Sequence, residues 1–500
     1  MLKRLLWLPL LQILLVVSDV SGFSLSEFVS EVLPPLSISS SDTAQQFEGW
    51  GTSLAWFAEY VGCLSAWQQD MVADLLFDPE VGLGLELVRF NIGGSNTSAD
   101  AVTSMRPFAA VPSVLLADGS YDWALGDKQA AVLKAAHDRG ATIFEAFSNS
   151  PPWFMTNSGD PSGNLDGADN LAPMYYDAYV DYLTEVVQYY RDEMNVTFRT
   201  VAPFNEPSSR VWQLGNRQEG CHYDLSTQRT ILQKLAASLS EKGLGPETGI
   251  SASDEAGFGQ SLASFIQYGD SLSVIDQINT HSYPEEVKAL AQIPLEAVAT
   301  AAGKRLWMSE YASGNYPVSD IRAGLDLSNQ VLGDLKVGKA QAWAYWQAVE
   351  DLNGPGAQWG LMQMPFGNTS PIDIPIQISK QYYSLMQYSK FINGGWTILD
   401  TTQEDKTLAA MYQHQDSTTE IAVVTTNTDA SSTTRNWNFG STSPVQYTIE
   451  VYRTSAAENF TRLSDALLPM SGLLQYDLPA QSITTFHFTL LAPAAVATTG

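Results

Sequence analysis

The stretch Thr200-Val201-Ala202-Pro203-Phe204-Asn205-Glu206-Pro207 is a short apolar run closed by an amide, an acid and a proline. A run of this length bounded by a turn reads as a parallel strand buried on both faces, with Pro207 leading the chain out of it. An acid at such a strand end is costly to bury, so it points to chemistry rather than packing. The pattern recurs in Leu306-Trp307-Met308-Ser309-Glu310-Tyr311, where Glu310 follows another apolar run.

Outward from these two segments, strand-like and helix-like runs alternate from about residue 45 to about 390. The strand candidates are Phe47–Trp56, Leu85–Ile92, Ala141–Phe147, Thr200–Phe204, Gly249–Ser253, Asp276–His281, Arg305–Ser309 and Ala340–Trp346. Helical periodicity falls on Asp127–Arg139, Ala172–Glu193, Thr227–Lys242, Pro284–Ala302 and Ser319–Lys336. Eight strands in β-then-α order predict an α/β fold, a closed (β/α)8 TIM barrel with Glu206 on its fourth strand and Glu310 on its seventh. After about Gly394 the texture changes to alternating runs, Leu408–Gln413, Glu420–Thr426, Gln446–Tyr452 and Ser482–Thr489, separated by polar and glycine clusters. These predict an antiparallel β domain, to which Leu36-Ser37-Ile38-Ser39 can add a strand. The expected organisation is a barrel over 45–390, a side-associated β-sandwich from 23–44 plus 391–492, and a frayed tail over 493–500.

Lys3 and Arg4 precede an apolar stretch from Leu5 to Val17, with small residues at Val20-Ser21-Gly22. This reads as a secretory signal peptide over residues 1–22, too short in its apolar part to span a bilayer, and predicts a secreted, extracellular protein that is not membrane-bound. Asn-x-Ser/Thr triplets at Asn96, Asn195, Asn368 and Asn459 are glycosylation candidates and predict surface positions. The two cysteines, Cys63 and Cys221, are a disulfide candidate in an oxidising compartment; two free buried thiols are the alternative. A net charge of −28 excludes nucleic acid and anionic membranes as partners.

Retaining glycoside hydrolysis needs one carboxyl to protonate the leaving oxygen and a second, ionised, to attack the anomeric carbon. Glu206 and Glu310 fit those roles if strands four and seven bring them to one barrel mouth. Asn205 beside Glu206 can donate to a sugar hydroxyl. Arg89 interrupts the apolar strand Leu85–Ile92 and needs an acidic partner there; beside Glu310 it would keep that carboxylate ionised. Tryptophans gather at strand ends (Trp56, Trp153, Trp346, and Trp212 in the loop after Glu206), as suits the apolar faces of sugar rings; Trp50 and Trp343 read as core. His281 and Tyr283 close the sixth strand, where the tyrosine can hold the nucleophile. Five scattered histidines without a His-Glu-x-x-His pattern predict no metal site, and no cofactor is expected.

Phe47-Glu48-Gly49-Trp50-Gly51, Ser150-Pro151-Pro152-Trp153-Phe154-Met155, Phe204-Asn205-Glu206-Pro207 and Ser309-Glu310-Tyr311 together resemble glycoside hydrolase family 30. The resemblance spans nearly the whole chain. Gly49-Trp50-Gly51-Thr52-Ser53-Leu54-Ala55-Trp56 and Gln218-Glu219-Gly220-Cys221 look most like its fungal endo-β-1,6-galactanases. It implies Glu206 as acid/base and Glu310 as nucleophile, with Arg89, Trp153, Asn205, Tyr283 and Trp346 around the −1 sugar. Gly-Trp-Gly-Thr stands where the glucosylceramidase branch has Gly-Phe-Gly-Gly, and Gln347–Gln363 holds no Lys or Arg to read a glucuronoxylan. The expected activity is therefore that of a monomeric endo-β-1,6-galactanase acting on a polysaccharide. A β-1,6-glucanase, or a non-catalytic glycan-binding protein on a degenerate barrel, is the alternative.

Overall fold

The computed structural model describes residues 36–39, 45–96, 105–284, 288–312, 314, 316–354, 358–367, 374–401, 406–416, 418–438, 447–463 and 473–490. The segment read as a signal peptide, the tail and Asn368 lie outside the described residues.

Eight parallel strands close into a barrel: β1 (Gly49–Ser53), β2 (Leu87–Ile92), β3 (Ile143–Ser148), β4 (Thr200–Ala202), β5 (Gly249–Glu255), β6 (Gln277–His281), β7 (Arg305–Glu310) and β8 (Ala342–Gln347), with β8 paired to β1. All eight coincide with the runs read from sequence. β4 is shorter than expected because Pro203 has no N–H to give to the ladder. β1 and β2 pack so closely that a Cβ on Gly51 would stand 2.4 Å from Leu87 O. Helices Asp127–Asp138, Tyr176–Met194, Leu225–Glu241, Lys288–Ala302 and Ile321–Leu332 pack on the outside, their apolar faces forming one core with the strands. The last of these passes into a π-helical turn, Gly333–Val337, where buried Asp334 accepts from Trp343 Nε1 at 3.0 Å and Ser282 Oγ at 2.6 Å. Trp50 and Trp343 are fully buried core residues.

Inside the barrel, Leu87, Ile143, Trp307, Ala342 and Ala344 form an apolar layer. Toward the carboxyl ends the filling turns polar. Glu145 of β3 accepts from Arg89 Nε (2.8 Å), Thr200 Oγ1 (2.8 Å), Ser251 Oγ (2.8 Å) and Asn279 Nδ2 (2.9 Å). A buried carboxylate with this many donors is satisfied, and it makes a rigid floor for the layer above. The register shifts in β5, β6 and β8 fall beside Ser253/Glu255, Thr280/His281 and Tyr345/Gln347, all at the carboxyl ends. Bulges there re-aim side chains toward the mouth.

The second unit is a ten-stranded sheet folded on itself. Its strands include β9 (Thr397–Thr401), β10 (Thr407–Gln413), β11 (Thr419–Asn427), β12 (Thr433–Asn438), β13 (Tyr447–Thr454), β14 (Leu473–Leu478) and β15 (Ser482–Leu490). Trp437 of β12 and Tyr476 of β14 meet Phe486 of β15 across the fold at 5.2 and 5.0 Å, giving this unit its own core. The strand Leu36–Ser39 joins it, antiparallel to β9 but parallel to β12, so the sheet is not purely antiparallel. Helix Lys380–Ser389 is the seam to the barrel: Gln387 Nε2 donates to Thr454 Oγ1 at 2.9 Å, and Lys380 Nζ to Ser455 O at 2.6 Å.

The candidate disulfide is not formed. Cys63 is an exposed free thiol just past helix Phe57–Val61, bonded to Glu59 O, whereas Cys221 is a free thiol enclosed in the core of the barrel wall. Of the glycosylation candidates, Asn195 and Asn459 are exposed and Asn96 is half-buried. No helix among the described residues is long and apolar enough to cross a membrane.

Candidate active site

β4 and β7 deliver Glu206 and Glu310 to the same mouth. One oxygen of each, together with a ring nitrogen of His281, lie within 4.8 Å of one another. Glu206 adopts a left-handed backbone (φ 47°), and its N–H donates to Asp254 O at 2.7 Å. Asp254, at the end of β5, is left-handed too (φ 59°). A β-carbon-bearing residue held there costs of order 1–3 kcal/mol, and such outliers cluster at functional sites.

Arg89 lies wholly buried below the mouth. Its Nε donates to Glu145, Nη2 pairs with Asp254, Nη1 donates to Ser309 O at 3.1 Å and stands 3.7 Å from Glu310 Oε2. The acidic partner foreseen for Arg89 is thus three partners. His281, equally buried, has Nδ1 3.2 Å from Glu206 Oε1 and 3.5 Å from Glu310 Oε1, and Nε2 3.3 Å from Asp254 Oδ1. Burial opposes its charge, but Glu310 and Asp254 outweigh burial and raise the imidazole to about 10. Tyr283 donates its hydroxyl to Glu310 Oε1 at 2.8 Å.

Arg89 and His281 therefore face four carboxylates, those of Glu145, Asp254, Glu206 and Glu310. Burial pushes Glu310 up to about 7, with Glu206 adding to the rise and His281 and Arg89 resisting it. Glu310 therefore takes up its proton at a higher pH than an exposed carboxyl does. Asp254 is held far below the usual carboxylate range: burial alone would raise it, and Arg89 and His281 overcome that.

Above the pair lies a cleft of about 290 Å³ with Trp56, Trp212, Trp346 and Trp359 in its wall. Trp56 and Trp346 meet edge to face at 5.3 Å, and Trp212 Nε1 donates to Glu206 O at 3.0 Å. Asn205 lines the cleft with an Oδ1 that has no partner among the described residues. Trp153 is half-buried with its backbone N–H on Gly94 O at 2.8 Å, outside the residues lining this cleft. A larger crevice, about 570 Å³, opens at the other end of the barrel beside Gln45, Lys304 and Gln341, without an aromatic wall. The smaller one holds Glu206 and Glu310.

Four contributors were missed in sequence. Asp254 follows a run that itself reads as an ordinary strand, and only the bulge beside it sends its carboxylate inward. Arg106 and Trp359 lie on long loops where no period marks them. Glu145, by contrast, was detectable as a lone charge inside Ile143-Phe144-Glu145-Ala146-Phe147.

The model of O-glycosyl hydrolase family 30 matches residues 35–357. An endo-β-1,6-galactanase of Hypocrea rufa is 31% identical over 404 residues, 76% of this chain and 78% of that protein. A conserved exported protein from Bacteroides fragilis superposes with a TM-score of 0.75 at 20% identity, over 91% of this chain and 100% of that one. The catalytic domain of a family 30 xylanase C from Talaromyces cellulolyticus does so at 0.67 and 19%, again over 91% and 100%. The chain belongs to glycoside hydrolase family 30.

Proposed function

We propose that this protein is a secreted, retaining endo-β-1,6-galactanase that cuts β-1,6-galactan side chains of arabinogalactan-type glycans by double displacement. Glu310 attacks the anomeric carbon and forms a galactosyl-enzyme. Glu206 protonates the departing oxygen, then takes a proton from the water that releases the sugar. Tyr283 and Arg89 orient and balance Glu310, and the tryptophan wall packs against the sugar's apolar face.

The observation that carries the mechanism is the approach of Glu206 and Glu310 oxygens to within 4.8 Å. That supports retention, in which the two carboxyls stand about 5–5.5 Å apart, over inversion, which needs about 6.5 Å or more to seat a water. The likeness to the Hypocrea rufa enzyme supports the linkage and sugar, and the amino-terminal apolar segment supports export.

The test is product analysis on β-1,6-galactan and β-1,6-glucan, with proton NMR of the first anomer released. Galactan cleavage to oligosaccharides with the β-anomer appearing first is expected. Preferential cleavage of the glucan would refute the sugar assignment; the α-anomer first would refute the mechanism.

A further inference from the structure

Two buried polar side chains behind the cleft wall take no part in the mechanism. Gln347 is the last residue of β8, next to Trp346 of the cleft, and Glu350 lies in the short strand Val349–Asp351 that follows. Gln347 is fully enclosed and Glu350 is 2% exposed. Gln347 Oε1 accepts from the N–H groups of Trp56 at 3.3 Å and Phe57 at 3.2 Å. Its Nε2 donates to Glu350 Oε2, and Glu350 Oε1 accepts from the Asp351 N–H at 2.9 Å.

This relay runs across the seam where β8 closes on β1. The register shift between Tyr345 and Gln347 takes Trp346 out of the ladder and sets Gln347 opposite Ser53. The Phe57 N–H is the first of the helix Phe57–Val61 and has no acceptor within it, so an outside oxygen decides where that helix begins. Gln347 supplies that oxygen and thereby holds the backbone of Trp56. The Trp56 ring meets Trp346 edge to face at 5.3 Å and lies 5.2 Å from the Arg106 guanidinium, which stands 5.1 Å from Trp359. An amide has one accepting and one donating end, and turned over it would set its NH2 against two enclosed N–H donors. An ionised carboxylate only accepts, so Glu350 keeps Nε2 toward itself and Oε1 toward Trp56.

We propose that Glu350 is a positioning residue that acts through Gln347 to place Trp56, and so sets the spacing of the Trp56 and Trp346 indoles against which the sugar packs. This rests on the galactanase reading of the cleft and adds to it the device that holds one wall in shape. Burying a carboxylate is costly, and an acceptor for two N–H groups needs only the amide. What the acid adds is direction. Its charge also favours that of Arg106, the other neighbour of the Trp56 ring.

The experiment exchanges the two side chains. In Glu350→Gln the new amide accepts from Gln347 or from the Asp351 N–H but strands the other, and in Gln347→Glu two carboxylates face each other. In the double variant Gln347→Glu/Glu350→Gln every bond is remade, with the carboxylate now accepting from Trp56, Phe57 and the amide behind it. Steady-state kinetics on β-1,6-galacto-oligosaccharides are expected to show KM raised about tenfold in each single variant, the size of one buried hydrogen bond. The double variant should recover most of that loss. Turnover should hold throughout, because neither side chain bonds to Glu206, Glu310 or His281 among the described residues. An unmoved KM, a fall in kcat of the same size, or a double variant no better than the singles overturns the proposal. Single variants that do not fold would assign the pair to the fold and overturn it equally. Failure of the wild type to cut any galacto-oligosaccharide would instead refute the galactanase reading. The emission of Trp56, isolated by difference from Trp56→Phe in each background, would then decide: a shift in both singles that returns in the double supports the proposal, and no shift overturns it.

Discussion

His281 Nε2 stands 3.3 Å from Asp254 Oδ1, both side chains fully enclosed, while the other face of the ring system reaches Glu206 and Glu310. The imidazole is thus held as a cation between Asp254 and the two acids of the mouth. A cation this close lowers the proton affinity of the carboxyls beside it. Without it, Glu310, already raised to about 7 by burial and Glu206, rises further. Glu310 must be ionised to attack, so the acidic limb of kcat/KM is expected near pH 7 in the wild type. In His281→Gln it should move upward by about 1–3 pH units, with a lower maximum. A limb that stays put or moves down would contradict a charged His281. Because its folded pKa is raised, the stability His281 contributes is full below about 6.5 and lost as pH rises through about 10.

The barrel was legible in the sequence because each strand is apolar on both faces and bounded by turns, and the acids at two strand ends stood out against that background. Arg89 was visible for the same reason. What sequence did not carry was the partnership: Asp254 reaches Arg89 and His281 only because a bulge and a left-handed backbone turn it inward. Nor did spacing exclude the Cys63–Cys221 bridge, since pairing depends on which side of a wall each residue occupies. Arg106 and Trp359 became meaningful only when two distant loops met.

Thiol counting checks the corrected cysteine assignment. Cys63 is exposed, whereas burial raises the thiol pKa of Cys221 and shields it. A chromogenic disulfide reagent should titrate one thiol in the native protein and two in denaturant. None in denaturant would mean the bridge exists after all.

Glu219 anchors the loop that follows Glu206 to the loop that follows β2. Wholly buried, it accepts from Ser95 Oγ at 2.7 Å and from the N–H groups of Gly94 and Val111, each at 3.2 Å. Glu219→Ala strands those donors and should cost roughly 2–4 kcal/mol in urea denaturation, with a raised KM. Burial lifts this carboxyl to about 7, against its hydrogen bonds. Its favourable contribution is therefore full below about 4.5 and lost as pH rises through about 7, a component absent from Glu219→Gln.

Gly220 shows how the wall depends on an absent side chain. A Cβ there would stand 2.1 Å from Cε3 of Trp212, the indole that lines the cleft and donates to Glu206 O. The ring cannot yield by rotation alone without breaking that bond, so Gly220→Ala should push Trp212 out of place. The cost falls on the cleft wall and on the backbone of Glu206 beneath it. KM is expected to rise and kcat to fall, each by about tenfold, since misplacement near 1 Å is enough for such losses. Fluorescence of Trp212, isolated by difference from a Trp212→Phe control, should shift with it. Unchanged kinetics and emission would show that the ring is not held where the structure places it.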